Sequence, residues 1–257
     1  MLTDMDMIVH NFPDKSDITI IPVADVHLGA LEHNEAAWEA FRKEIQEQPD
    51  TYIVLVGDLI NNSVRASVAN PFDEVLRPRD QKRLMVDHLT PSRDRILCGV
   101  SGNHERRSLK DSDVDITYDI MAKLDIEHLY RENVAFMKVG LGRRTTRNTP
   151  ECSFIFAVTH GSALTRNERF GNIIDGGLDC LVVGHTHKGV VSRPSKIVVD
   201  ARNEKITMKS YTVVSAESWL SYGGYAAQKM LLPSETATPQ RIHLSGTKNN
   251  KRLEIRW

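Results

Sequence analysis

The chain has 257 residues, 40% hydrophobic, 26% charged and 6% aromatic, with a formal net charge of -1; this is globular composition with room for one large core, and it excludes disordered and fibrous classes. A near-neutral balance provides no global basic field for nucleic acid or an anionic membrane, and there is no run of 18 or more apolar residues to span a bilayer. The opening MLTDMDMIVHNFPDKSD carries acids where a signal peptide has bases, and the scattered Cys98, Cys152 and Cys180 argue for a reducing compartment, so a cytoplasmic protein is expected.

In chain order, ITIIPVADVH predicts a buried strand ending near Asp25. NEAAWEAFRKEIQEQ puts Trp38, Phe41 and Ile45 on one helical face, with Asn34 as N-cap. TYIVLVGDLI reads as a second buried strand, with the apolar run of a parallel sheet. Residues 61–76 are polar and punctuated, a surface excursion. RPRDQKRLMVDHLT predicts a helix, DRILCGV a third strand and DVDITYDIMAKL another amphipathic helix. After the basic loop GLGRRTTRNTP come segments that read mostly as strands: CSFIFAVTH, LDCLVVGHTH, SKIVVDA, KITMKSYTVVSA, AAQKMLLP, QRIHLS and KRLEIRW. A short helix is expected in TRNERFGNIID. An α/β first half and a β-rich second half suit two sheets packed face to face with helices outside, in one domain over residues 1–257.

Five of these strands end on polar residues: Asp25 and His27, then Asp58, then Asn103 and His104, then His160, then His185 and His187. Ligands of open α/β sheets bind outside the carboxyl ends of strands. Residues i and i+2 of a strand share a face, so Asp25 and His27 can grip one ion and His185 and His187 can reach one site. The glycines before Asp58, Asn103 and His185 permit sharp turns and close backbone approach. Singly, each signal has a plain structural explanation: Gly-Asp is a common turn, and a lone histidine is often a hydrogen-bonded core residue. Together, eight imidazole, carboxylate and amide groups are too many for one ion. They suit two ions of manganese, iron or zinc about 3.5–4 Å apart.

The motifs DVH, GDLINN, GNHE, THG and GHTH, in this order from Asp25 to His187, resemble the calcineurin-like metallophosphoesterases. The segment GDLINNSVRASVANPFDEVLRPRDQ is similar to members carried by bacteriophages and prophages. The resemblance implies an α/β fold, a four-layer α/β/β/α sandwich of two mixed β-sheets flanked by helices. Its motif-bearing core would cover about residues 18–190, and residues 191–257 would supply the β-rich remainder of the second sheet. It further implies one metal on Asp25, His27 and His187 and another on Asn103, His160 and His185, with Asp58 bridging. His104 would stand by the substrate phosphate as the catalytic residue. Glu105 would orient His104 or support the site from behind.

Beyond the motifs, Asn61 and Asn62 are candidate substrate contacts, and Arg106 and Arg107 candidate phosphate clamps. The cluster Arg143, Arg144 and Arg147 is a candidate contact to a nucleic-acid backbone. The expected activity is hydrolysis of a phosphate ester by metal-activated water at two divalent ions, manganese first. Phosphodiesters or nucleic acid are the favoured substrates. The alternatives are a phosphomonoesterase and an inactive metal-binding scaffold. No membrane partner is expected, and the sequence fixes no oligomeric state.

Overall fold

The computed structural model describes residues 6–64, 67, 74–144, 149–174, 177–224, 227, 230, 238–247 and 250–257. Two six-stranded sheets organise them. In the first, β2 (Asp17–Val23), β3 (Thr51–Leu55), β4 (Ile96–Val100) and β5 (Tyr130–Arg131) run in parallel. The antiparallel pair β13 (Arg241–Thr247) and β14 (Asn250–Arg256) completes the order β14-β13-β2-β3-β4-β5. The second sheet joins β1 (Ile8–Phe12), β6 (Val134–Leu141), β7 (Cys152–Thr159), β8 (Cys180–Val183), β12 (Thr212–Ser215) and β9 (Val190–Ser192), in that spatial order. A separate ribbon pairs β10 (Ser195–Asp200) with β11 (Lys205–Ser210).

The sheets form because their strands have apolar faces to hide. β3 and β4 are buried at every residue, as an inner parallel strand requires. On the second sheet the pleat divides the side chains. Phe156, Val182 and Val214 enter the large core shared with Ile20, Ile53 and Leu97 of the first sheet. Their neighbours Ala157, Leu181, Val183 and Val213 turn to the other face, against Phe170 and Ile174. Phe170 belongs to α5 (Leu164–Ile173), the helix expected in TRNERFGNIID.

Helix α1 (Glu35–Glu47) is capped by Asn34, whose Oδ1 accepts from Ala37 N at 3.1 Å, and it buries Trp38, Phe41 and Ile45. Trp38 meets Trp219 edge to face and Phe41 meets it tilted, with ring centroids 5.2 and 4.8 Å away. Helices α2 (Pro78–Leu89) and α4 (Ile116–Lys123) add Met85, Leu89, Ile120 and Met121 to the same core. The result is the mixed α/β sandwich expected, two sheets with helices outside. No described helix is long and apolar enough to cross a membrane.

Several expectations are corrected. The C-terminal strands β13 and β14 join the first sheet, not the second. Without them β2 would be an open edge, and Ile242 and Leu244, both fully buried, find Ile20 and Ile18 as cross-strand partners. The stretch KITMKSYTVVSA divides at Tyr211, with β11 swinging out to β10 and β12 returning to the second sheet. Strands β1 and β6 and helix α3 (Glu105–Ser112) were not foreseen. β6 has a half-exposed outer face, which gives it no continuous apolar run. Of the expected strand AAQKMLLP only Ala227 and Met230 are described, and the rest lies outside the described residues, as do 65, 66 and 68–73 of the polar excursion and Arg147 of the basic cluster.

Truncating the buried C-terminal strand tests its place in the core. Leu244→Ala should lower unfolding free energy by about 2–5 kcal/mol, read from urea denaturation. A loss under about 0.5 kcal/mol, typical of surface positions, would remove β13 from the core.

Candidate metal centre

The site grows from backbone that leaves the strands without leaving the ladder. Past the ends of β2 and β3, Val56 N still donates to Val23 O (2.7 Å), Asp25 N to Gly57 O (3.1 Å) and His27 N to Asp58 O (3.0 Å). Between these bonds the chain bends sharply. Asp25, His27, Asp58, His185 and His187 all adopt left-handed conformations, with φ of 51°, 47°, 51°, 70° and 57°. Such φ values are uncommon for residues other than glycine and are held only where surrounding structure over-determines them. Here they turn consecutive side chains into one space.

Two glycines make the turns possible. A Cβ on Gly57 would stand 2.5 Å from Gly102 N, and one on Gly102 would stand 2.1 Å from Asp58 Oδ1. The turns after β3 and β4 therefore touch backbone to backbone, with no room for any side chain.

The polar groups converge in three overlapping sets. Asp25, His27 and His187 offer donor atoms within 4.8 Å of one another, as do His27, Asp58 and His104, and Asp25, Asp58 and His160. His27 Nε2 faces His187 Nε2 at 3.3 Å, and Asp25 Oδ1 lies 3.3 Å from His187 Nε2. Asp58 Oδ2 is 3.8 Å from His27 Nε2 and 3.4 Å from His160 Nε2. Asn103 Oδ1 lies 3.0 Å from His160 Nε2 and 2.8 Å from His185 Nδ1. All seven expected ligand residues thus border one space. Asp25 and Asp58 are fully buried, and Asp25 Oδ1 has no hydrogen-bond partner among the described residues. A buried carboxylate oxygen facing only imidazole nitrogens is costly unless a cation completes it. This donor set therefore fits divalent metal.

The remaining expected site residues separate. His104, with its side chain 15% exposed, holds Nδ1 2.6 Å from Asn61 O and Nε2 2.8 Å from Arg107 Nη2. Asn61 Oδ1 reaches His27 Nδ1 at 3.3 Å, so Asn61 supports this imidazole from behind. Asn62 is corrected as a substrate contact: it is fully buried and its Nδ2 donates to His104 O and Ser108 Oγ. Arg106 is corrected too, because its Nη2 donates to Ser101 O and Glu132 O. The pair Arg143 and Arg144 follows β6, at the end of β7 opposite His160. An eight-residue strand, roughly 25 Å long, separates them from the centre.

Two residues carry more of the site than the sequence suggested. Glu105 is buried and does not touch His104. Its Oε2 accepts from Asp58 N (3.0 Å) and Gly102 N (3.0 Å), and its Oε1 from Leu59 N (2.6 Å) and Ile60 N (3.2 Å). Gln81 is also fully buried, accepting from Asn62 N at 2.9 Å and donating to Leu76 O at 2.7 Å. Its signal was available: a polar residue in the buried stripe Gln81, Met85, Leu89 of α2.

Electrostatics follow the crowding. Burial would raise the Asp58 carboxyl, but the surrounding imidazoles of His160, His104 and His27 hold it below the usual carboxylate range. Burial, then the neighbouring His104, pushes His27 well below an ordinary histidine. Burial works the same way on His160, yet Asp58 outweighs it and lifts that ring to about 9. His187 is raised as well, burial being overcome by Asp25.

A family model described as calcineurin-like phosphoesterase matches residues 18–189, a span that begins at β2 and ends just after His187. No curated protein sequence matches the chain.

Replacing Glu105 by Gln puts an amide NH2 against two backbone donors. Each buried donor left unpaired costs about 1–3 kcal/mol, so Glu105→Gln should lose about 2–6 kcal/mol in denaturant unfolding; an unchanged midpoint would refute the backbone-clamp role. Metal uptake gives a second test. Without metal, His160 keeps its proton below about pH 9, and a ligating nitrogen must be bare. Affinity should therefore rise with pH up to that value. Calorimetric titration with manganese at pH 7, in two buffers of different ionisation heat, should reveal released protons; equal heats in both would contradict this.

Proposed function

The chain belongs to the calcineurin-like phosphoesterases, and we propose that it hydrolyses phosphate esters at a pair of divalent cations, manganese first and iron or zinc as alternatives. Asp25, His27 and His187 would hold one cation, and Asn103, His160 and His185 the other, with Asp58 shared. The observation that carries this reading is the Asp58 carboxylate lying between the two groups, 3.8 Å from His27 Nε2 and 3.4 Å from His160 Nε2. Mixed imidazole, carboxylate and amide donors favour these metals over calcium, which prefers oxygen ligands. When bound, such a pair polarises phosphoryl oxygens and makes water nucleophilic near neutral pH.

The chain's own residues supply the rest. Asn61 O anchors His104 Nδ1, which leaves Nε2 as the working nitrogen. Burial and the Arg107 cation keep this ring below ordinary histidine basicity. An incoming phosphate brings negative charge, draws Arg107 to itself and favours a proton on Nε2. That proton then passes to the leaving oxygen, while Arg107 holds a non-bridging phosphoryl oxygen.

Phosphodiesters, nucleic-acid strands among them, are the proposed substrate class. Asn103 and His185 are exposed, so the centre is open on that side to a substrate longer than a small ester. Arg107 supports a second reading, because a guanidinium beside the working nitrogen also suits the extra charge of a phosphomonoester.

The test compares manganese-loaded wild type with His104→Ala and Asp58→Ala. Substrates are end-labelled single-stranded DNA, bis(p-nitrophenyl) phosphate and p-nitrophenyl phosphate. His104→Ala should keep both cations by elemental analysis and turn over about 100- to 10,000-fold more slowly. Asp58→Ala should lose them. Retention of both cations in Asp58→Ala would sink the shared-ligand assignment. Faster cleavage of the monoester would select the second reading, and no turnover of any ester would leave an inactive metal-binding scaffold.

A further inference from the structure

The ribbon of β10 and β11 is built inside out. Its register pairs Ile197 with Met208 and Val199 with Ile206, and directly opposed residues share a face. These four are 70%, 73%, 69% and 75% exposed. The opposite face carries the pairs Lys196–Lys209, Val198–Thr207 and Asp200–Lys205. Along β10 that polar face is the half-buried one, tied to the body by Lys196 Nζ donating to Ile174 O. An amphipathic ribbon left to itself in water does the reverse, and a two-stranded hairpin is only marginally stable alone.

We propose that the Ile197, Val199, Ile206 and Met208 face is a homodimer interface, covered by the same face of a second copy of this chain. The area supports one occupant of this kind. Four side chains so exposed present on the order of 500 Å², the size at which a monomer's apolar patch is usually functional. Two such faces stacked would bury about 1,000 Å² in all, the lower bound of a specific interface. Charge supports it as well. The face bears no ionisable group, since the lysines and Asp200 point the other way, so a two-fold axis brings no like charges together. The serines Ser195 and Ser210, bonded Oγ to Oγ at 2.8 Å, end the patch at its base. An isologous contact needs only a self-complementary surface, and an apolar ladder of paired side chains meeting its own copy across a two-fold axis can supply one. β10 follows β9 through Arg193 and Pro194, and β9 follows the loop carrying His185 and His187, so the dimer face and the metal loop lie on one continuous stretch of chain.

Sedimentation of the full chain over a concentration series should give twice the 29.0 kDa of one chain. The double variant Ile197→Lys/Ile206→Lys should sediment at 29.0 kDa with its circular dichroism unchanged. A second measurement is independent of that variant's folding. The three native thiols are buried, so an introduced cysteine is read alone. Val199→Cys should react with a maleimide more slowly in concentrated than in dilute solution, and Thr207→Cys, on the other face, equally fast in both. A wild type that stays monomeric up to roughly 100 μM, where even a weak interface of this size should assemble, would overturn the proposal. So would a dimer that survives both lysines, or a Val199→Cys thiol indifferent to concentration. Monomers that float with phosphatidylglycerol vesicles would give the face to a lipid surface instead and would equally overturn it.

Discussion

Four backbone N–H groups, from the ends of β3 and β4, point at the single carboxylate of Glu105. Each of those amides has left its sheet ladder and would otherwise be buried without an acceptor, a loss of the kind folded chains almost never accept. The carboxylate joins the two turns, and the absence of side chains on Gly57 and Gly102 lets them touch. Asp58 and Asn103 stand on those turns, and His104 N donates to Asp58 Oδ1 at 2.8 Å. The placing of Asp58, Asn103 and His104 therefore depends on one buried acid whose own oxygens are taken up by backbone amides.

Around this clamp the centre concentrates strain and charge. Five of its seven candidate ligand residues have positive φ, and two buried carboxylates face four imidazole rings. Neither would persist in a loop free to relax. Packing supplies the restraint. Trp219 N donates to Asp25 O at 3.0 Å while the Trp219 ring lies against Trp38 and Phe41. The apolar core thus reaches the first candidate ligand through Trp219 as well as through the buried neighbours Ala24 and Val26. Such pre-organisation is what a centre binding ions of opposite charge needs, since the ligands must already be aimed when the ion arrives.

Neighbours in sequence came to serve different ends. Arg106 and Arg107 are equivalent as letters, but helix α3 rotates successive residues by about 100°. That rotation sends Arg106 to the carbonyls of Ser101 and Glu132 and Arg107 to His104. Asn61 and Asn62 divide likewise, because Asn62 takes a φ of 45° and turns inward. The basic loop at 143–144 lost its place near the centre for a topological reason. It joins β6 to β7 at the end where β7 begins, whereas His160 follows the end where β7 finishes.

The sequence alone determined the α/β class, the parallel strands β2, β3 and β4, the helix α1 with its Asn34 cap, and the candidate ligand residues. It could do so because those features are written in local periodicity and in polar residues that end apolar runs. Tertiary structure alone decided the rest: that β13 and β14 close the edge of β2, that Glu105 binds backbone rather than His104, and that the β10–β11 ribbon turns its apolar side outward. Strand alternation states that two faces differ but not which one meets the body. That choice is made by contacts between residues far apart in the chain, such as Ile20 with Ile242 and Lys196 with Ile174 O, and no local pattern encodes them.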